Sequence, residues 1–257
     1  MKNELRIALV QSPIIWEQPT SNRKYFSSKI ASIKGKVDLI VLPEMFTTGF
    51  TMTPENLDVK EGDVTVEWMQ DIAKEKNAAI VGSIIYSENG AYFNRLFFVN
   101  PNGEVRHYNK RHTFTLAGEN EKYQAGNKHL ILDYMGFKIN LMICYDLRFP
   151  VWSRNTVDYD VLLYVANWPK PRIEAWDTLL KARAIENMSY CIGVNRVGKD
   201  EKGLEYVGHS AVYDALGKQL VFSEEEEILE VTLSKAHLVE TRKKLRFLED
   251  RDQFNLE

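Results

Sequence analysis

Apolar residues come in short runs that alternate with segments of helical spacing over nearly the whole chain. Leu5 to Val10 is a run of strand length, and Asn22 to Ile33 has helical character behind Ser21, a predicted side-chain cap. Asp38 to Leu42 predicts a buried strand and Val64 to Lys76 a helix. Glu88-Asn89-Gly90 joins strand-like Ala79 to Tyr86 to Ala91 to Val99, and Asn100-Pro101-Asn102-Gly103 leads on into Glu104 to Tyr108. Asn-Gly pairs accept the positive φ of tight hairpins, so these three segments are predicted to be antiparallel neighbours. Strands are then predicted at His129 to Asp133 and Lys138 to Ile143, with a short helix after Cys144 and a buried strand at Val161 to Val165. Ile173, Trp176, Leu180 and Ala184 share one helical face, and Pro171 suits the first turn of that helix. Four more strands follow, at Cys191 to Val197, Ser210 to Asp214, Leu220 to Phe222 and Ile228 to Val231, before a charged helix from Ser234.

This alternation predicts an α/β fold. The central hairpins make the sheets mixed rather than purely parallel, and a sandwich of two sheets with helices outside accommodates all the elements. No linker or short-period repeat breaks the pattern, so residues 1–257 are expected to form one domain.

Composition narrows the function classes. Of 257 residues, 44% are hydrophobic, enough for a sizeable core, and a net charge of −3 offers nothing to a polyanion. The basic cluster Arg242-Lys243-Lys244 suits the last turn of a helix better than a nucleic-acid surface. The apolar run Ile7 to Val10 is too short for a secretory signal, and the longest run, Val161 to Ala166, is far below the roughly 20 residues of a membrane span. A soluble cytoplasmic protein with reduced thiols at Cys144 and Cys191 is expected, without nucleic-acid or membrane partners. No His-x-Glu, His-x-x-x-His or Cys-x-x-Cys pattern and no Gly-rich phosphate loop occurs, so no metal and no cofactor is expected.

Three residues stand where chemistry is done in such folds. Cys144 ends the run Ile139 to Ile143, where a strand hands over to a helix and the following backbone N–H groups suit a developing oxyanion. A buried structural cysteine fits the same position. Glu44 likewise follows a buried strand, in Leu42-Pro43-Glu44-Met45-Phe46, where desolvation suits a general base, although a loop-entrance glutamate has the same appearance. Lys110 enters a loop rich in Arg, His and Phe, and alone it says little. His112 is a rival base for Cys144, but none of the five histidines has a partner in a recognisable motif.

Taken together, three segments resemble the nitrilase superfamily of carbon–nitrogen hydrolases, in that family's order. Leu42-Pro43-Glu44-Met45-Phe46 is similar to its general-base segment, Tyr108-Asn109-Lys110-Arg111-His112 to its lysine segment, and Ile143-Cys144-Tyr145-Asp146-Leu147-Arg148-Phe149-Pro150 to its nucleophile segment. Ala166-Asn167-Trp168-Pro169, Arg183 to Asn187 and Gly208-His209-Ser210 also match, so the likeness runs from about Ile7 to Phe222. It implies a four-layer α-β-β-α sandwich, a dimer or larger homo-oligomer, and a small-molecule amide substrate. It further implies catalysis by Glu44, Lys110 and Cys144 with a supporting glutamate, here Glu119, although Glu121 stands close by. Glu44 would take the thiol proton, and Lys110 with the Tyr145 backbone N–H would hold the oxyanion.

For the substrate, Leu42 to Phe50 and Asn167-Trp168-Pro169 with Arg172 most resemble the bacterial omega-amidase subgroup. That likeness implies hydrolysis of 2-oxoglutaramate and 2-oxosuccinamate to a 2-oxo dicarboxylate and ammonia. Arg172 is the expected grip on the substrate carboxylate, because arginine binds carboxylates through two parallel hydrogen bonds. Arg148 is the alternative, with an ion pair to Asp146 or Glu186 as its structural role. Phe46, Phe114 and Trp168 are expected to wall the pocket. Deaminated-glutathione amidase, carbamoylase, nitrilase and acyl-transfer activities share the triad, and a non-catalytic thiol sensor is the remaining class. Cys191 is expected to be structural, and Lys243 to Asp252 to form a docked helix or an exchanged tail.

Overall fold

A computed structural model describes residues 3–256. β1 (Glu4–Gln11), α1 (Pro19–Ala31), β2 (Leu39–Val41) and α2 (Glu61–Lys76) precede a meander of β3 (Ala79–Glu88), β4 (Ala91–Val99) and β5 (Val105–Asn109). The one-turn α3 (Glu119–Lys122) leads to β6 (Leu130–Tyr134), β7 (Phe137–Ile143), the one-turn α4 (Pro150–Ser153), β8 (Val161–Val165) and α5 (Ile173–Asn187). The chain closes with β9 (Tyr190–Val194), β10 (Val197–Lys199), β11 (Glu205–Val207), β12 (Ser210–Tyr213), β13 (Gln219–Ser223), β14 (Glu227–Ser234) and α6 (Lys235–Leu245).

Two six-stranded mixed sheets result, in the orders β14-β1-β2-β3-β4-β5 and β13-β12-β9-β8-β7-β6. Alternation along each strand sets the layers. Leu5, Ile7 and Leu9 of β1 face the second sheet with Ile139, Leu141 and Leu163, whereas Ala8 and Val10 face outward onto Phe26 and Ile30 of α1. On the far side, α5 lies so close to β9 that a Cβ on Gly193 would come within 2.4 Å of Leu180 and 2.6 Å of Trp176. The architecture is a four-layer α-β-β-α sandwich, as the sequence motifs imply.

Two expectations need correction. Ser21 does not cap α1: the helix starts at Pro19, whose fixed φ suits the first helical position, and Ser21 lies exposed inside it. Without a side-chain cap, α1 depends on burying Phe26 and Ile30, about 1.5–3 kcal/mol for each such side chain. The single strand expected from Cys191 to Val197 is two. β9 stops at Val194, and the Asn195 side chain receives the Trp168 N–H at 2.8 Å and donates to the Gly208 carbonyl at 2.7 Å. The chain then turns into a separate two-stranded ribbon of β10 and β11. The C-terminal segment docks on its own chain, with Arg242 donating to the Met188 carbonyl at 2.7 Å and Arg251 to Asp158 at 2.6 Å. Among the described residues, no helix is long and apolar enough to cross a membrane.

Candidate active site

Four side chains meet at one end of the sandwich. Glu44 follows β2, Lys110 follows β5, Glu119 opens α3, and Cys144 follows β7. β2 runs parallel to both of its neighbours and β7 runs parallel to β8, and the C-terminal ends of such strands collect ligands in open α/β sheets. The backbone turns sharply at both ends: Met45 and Cys144 each have φ of +43°. Non-glycine residues pay roughly 1–3 kcal/mol for that conformation and keep it only where the surroundings enforce it. At Met45 the enforcement includes its N–H, which donates to Ser83 Oγ at 2.9 Å.

Hydrogen bonding separates the two glutamates. Glu119 accepts four bonds: Lys110 Nζ at 3.0 and 2.9 Å, Asn94 Nδ2 at 3.1 Å and the Phe114 N–H at 2.6 Å. A carboxylate has about four acceptor positions, so Glu119 is saturated. Glu44 accepts three: Lys110 Nζ at 2.9 Å and Asn94 Nδ2 at 2.7 Å on Oε1, and the Asn167 N–H at 2.8 Å on Oε2. Its remaining capacity faces the Cys144 thiol, which feels the Glu44 charge and itself donates weakly to the Asn167 carbonyl at 4.0 Å. Glu121, the other candidate for the supporting role, is exposed.

Burial governs the charges here. Glu44, Lys110 and Glu119 are at most 1% exposed and Cys144 is 8% exposed. Desolvation and then the Glu44 charge push the Cys144 thiol well above its ordinary range, so it rests protonated at neutral pH. Burial pulls Lys110 down, but Glu119 and Glu44 more than offset it and leave the ammonium strengthened. Burial raises Glu119 against the opposing pull of Lys110. One ammonium therefore serves two carboxylates and a neutral thiol.

Asp146 ties the Cys144 turn to the loop that carries Lys110. Its Oδ2 accepts from the Ile143 N–H at 3.0 Å and the Tyr108 hydroxyl at 2.8 Å, and its Oδ1 from the His112 N–H at 3.0 Å. The His112 ring is bound to Oδ1 as well, at 2.8 Å through Nδ1, and stacks on Phe149 with centroids 3.7 Å apart. His112 thus serves this bracket rather than Cys144. The ion pairs suggested for Arg148 do not form, because Asp146 is occupied and Glu186 takes Arg183 at 2.9 Å.

Arg148 instead lies over Trp168 at 5.1 Å and Arg172 over Phe114 at 5.2 Å, and among the described residues neither guanidinium has a carboxylate partner. Both arginines, with Phe114, Tyr145 and Trp168, line a cavity of about 500 Å³ that has Lys110 and Cys144 on its wall. Phe46 does not reach it. Past the turn at Met45 its ring points into the core beside Phe26 and Trp68, where a Cβ on Gly82 would meet it at 2.9 Å. Phe50 takes the expected place, with Lys110 Nζ 5.0 Å from its ring centroid. Asp200 and Tyr206 of the ribbon also line the cavity; strands of three residues carry too little periodicity to be read.

The model of the carbon-nitrogen hydrolase family matches residues 6–243. The chain is 43% identical to "Omega-amidase YafV" of Escherichia coli strain K12, over 98% of each chain. It is 32% identical to "2-oxoglutaramate amidase" of Bacillus subtilis, over 95% of this chain and 96% of that one. Among solved structures, XC1258 of Xanthomonas campestris, described as a CN-hydrolase superfamily protein with an arsenic adduct in its active site, superposes with a TM-score of 0.95 at 41% identity, over 99% of both chains. A match of this length, together with full-length relatives well above 30% identity, shows that the chain belongs to the carbon-nitrogen hydrolase family.

Proposed function

We propose that this chain is an omega-amidase, hydrolysing the terminal amide of 2-oxoglutaramate or 2-oxosuccinamate through a thioester on Cys144. The observation that carries the mechanism is the asymmetry of the glutamates: only Glu44 has an acceptor position left, and the thiol is beside it. Cys144 Sγ attacks the amide carbonyl as Glu44 takes its proton. The tetrahedral oxyanion is stabilised by the Lys110 ammonium and the Tyr145 backbone N–H. Glu44 passes the proton to the departing nitrogen, ammonia leaves, and a thioester remains. Water then attacks that thioester as Glu44 accepts its proton, the acid is released, and the proton returns to the thiol. Glu119, saturated, keeps Lys110 in place.

The substrate reading is supported by the two arginines without carboxylate partners, which can grip the carboxylate remote from the amide. The printed activities of the Escherichia coli and Bacillus subtilis relatives point the same way. We place the reaction in the cytoplasm, in one catalytic domain of a homodimer or larger assembly, which light scattering of the purified protein would measure.

The test is ammonia release from 2-oxoglutaramate, with glutamine, asparagine and a simple nitrile for comparison. Cys144→Ala should abolish release, and Glu44→Gln should lower it about 10²–10⁴-fold. Turnover of another amide or of the nitrile alone would keep the triad and discard this substrate. Near wild-type rates in Glu44→Gln would remove Glu44 as the base.

A further inference from the structure

One buried residue outside the triad touches all of its charged members. Asn94 of β4 is 1% exposed and donates from Nδ2 to Glu44 Oε1 at 2.7 Å and to Glu119 Oε1 at 3.1 Å. Its backbone carbonyl accepts the Lys110 N–H at 3.0 Å. Strand alternation turns the next side chain the other way: Arg95 binds Glu88 and Asn109. The Asn94 Oδ1, meanwhile, is buried and has no hydrogen-bond partner. Buried acceptors are rarely left unmade, and an amide that tolerates one to aim its nitrogen at two carboxylates is held there by the carboxylates.

Two buried carboxylates repel each other, so they stay on one ammonium only while shared donors hold them there. A Glu44 side chain that swung away would no longer face the thiol proton. The groups facing this pair are Lys110, Cys144 and Tyr123, whose hydroxyl donates to the Thr51 carbonyl at 2.7 Å. Lys110 is the only cation among those groups, and the Phe114 and Asn167 N–H groups each serve one carboxylate alone, so among the described residues Asn94 is the one neutral donor that both carboxylates share.

We propose that Asn94 is a positioning residue that holds Glu44 and Glu119 together about Lys110 and so keeps Glu44 aimed as the base. The proposal rests on the reading of Glu44 as base, but not on the identity of the substrate.

The experiment is the rate of Cys144 alkylation by iodoacetamide at about pH 7.5, followed by mass spectrometry on the full-length protein. Asn94→Ala should slow alkylation about tenfold, because the base is no longer aimed. Asn94→Ser, which keeps one donor, should fall between Asn94→Ala and wild type. A purely structural role would lower the unfolding temperature and leave the alkylation rate where it was. An unchanged rate in either folded variant overturns the proposal, and Asn94→Ser carries the test if Asn94→Ala does not fold. A wild-type alkylation rate in Glu44→Gln would instead refute Glu44 as the base. Failure to hydrolyse 2-oxoglutaramate would refute only the substrate.

Discussion

Replacing Asp146 by asparagine, an isosteric change, should cost the protein a large part of its stability. The carboxylate accepts four bonds, two on each oxygen, and each oxygen serves one backbone N–H: Ile143 on Oδ2 and His112 on Oδ1. An asparagine keeps one acceptor oxygen and turns an NH₂ group toward the other two donors. Tyr108 can rotate its hydroxyl to accept, but a backbone N–H cannot. Either amide orientation therefore leaves one N–H facing a donor, at about 1–3 kcal/mol, and weakens the surviving bonds, each worth about 1.5–3 kcal/mol to a charged acceptor. A net loss of about 3–5 kcal/mol follows, a large share of the 5–15 kcal/mol typical of a folded domain. Because the Ile143 N–H immediately precedes the strained Cys144 backbone, turnover should fall with stability. Urea unfolding followed by tryptophan fluorescence measures the stability, read from the midpoint at unchanged slope. A loss below about 1 kcal/mol with wild-type turnover would refute the claim that this bracket holds the nucleophile turn.

Two further outcomes are expected. Arg148→Gln and Arg172→Gln should each raise KM for 2-oxoglutaramate about 10–100-fold with a smaller effect on kcat, and Arg172→Lys should restore only part of the loss; unchanged KM values would remove the arginines from substrate binding. Stability should also decline in alkali. Burial raises the Cys144, Cys191, Tyr108 and Tyr159 groups and pushes Tyr213 up to about 12, so the folded chain keeps protons that the unfolded chain releases. That stability is complete below about pH 8.5, where unfolded thiols begin to ionise, and is lost as pH rises. Urea midpoints that are equal at pH 7.5 and pH 10 would contradict it.

Much of the architecture was legible because strand periodicity is local. Val161 to Val165 and Ala91 to Val99 have the bounds expected of them, and Asn89 and Gly90 take the positive φ of the predicted hairpin. Glu44, Lys110 and Cys144 converge as their motifs implied, because all three follow strand ends at one edge of the sandwich. What could not be read depended on where a turn sends the next side chain. The left-handed Met45 swings Phe46 into the core and leaves Phe50 to the cavity. Arg148 had two acidic residues to choose from, Asp146 and Glu186, and both are taken by other donors in space. Asn94 lies in a strand whose alternation shows only that the position faces inward, not that two carboxylates meet there.

The pairing of β1 with β14 shapes how the chain can fold. All eight residues of β1, Glu4 to Gln11, find antiparallel partners between Glu227 and Ser234. β1 therefore waits for β14, the last strand among the described residues, before one side of it is covered. Long-range pairings of this kind slow folding, because the entropy of closing the loop is spent before the contact forms. Until then β1 is an open apolar edge, the template on which nascent chains associate with one another. A chain that ends before Glu227 keeps Glu44, Lys110, Glu119 and Cys144 and still exposes that edge for good, so its failure would be aggregation rather than loss of these side chains.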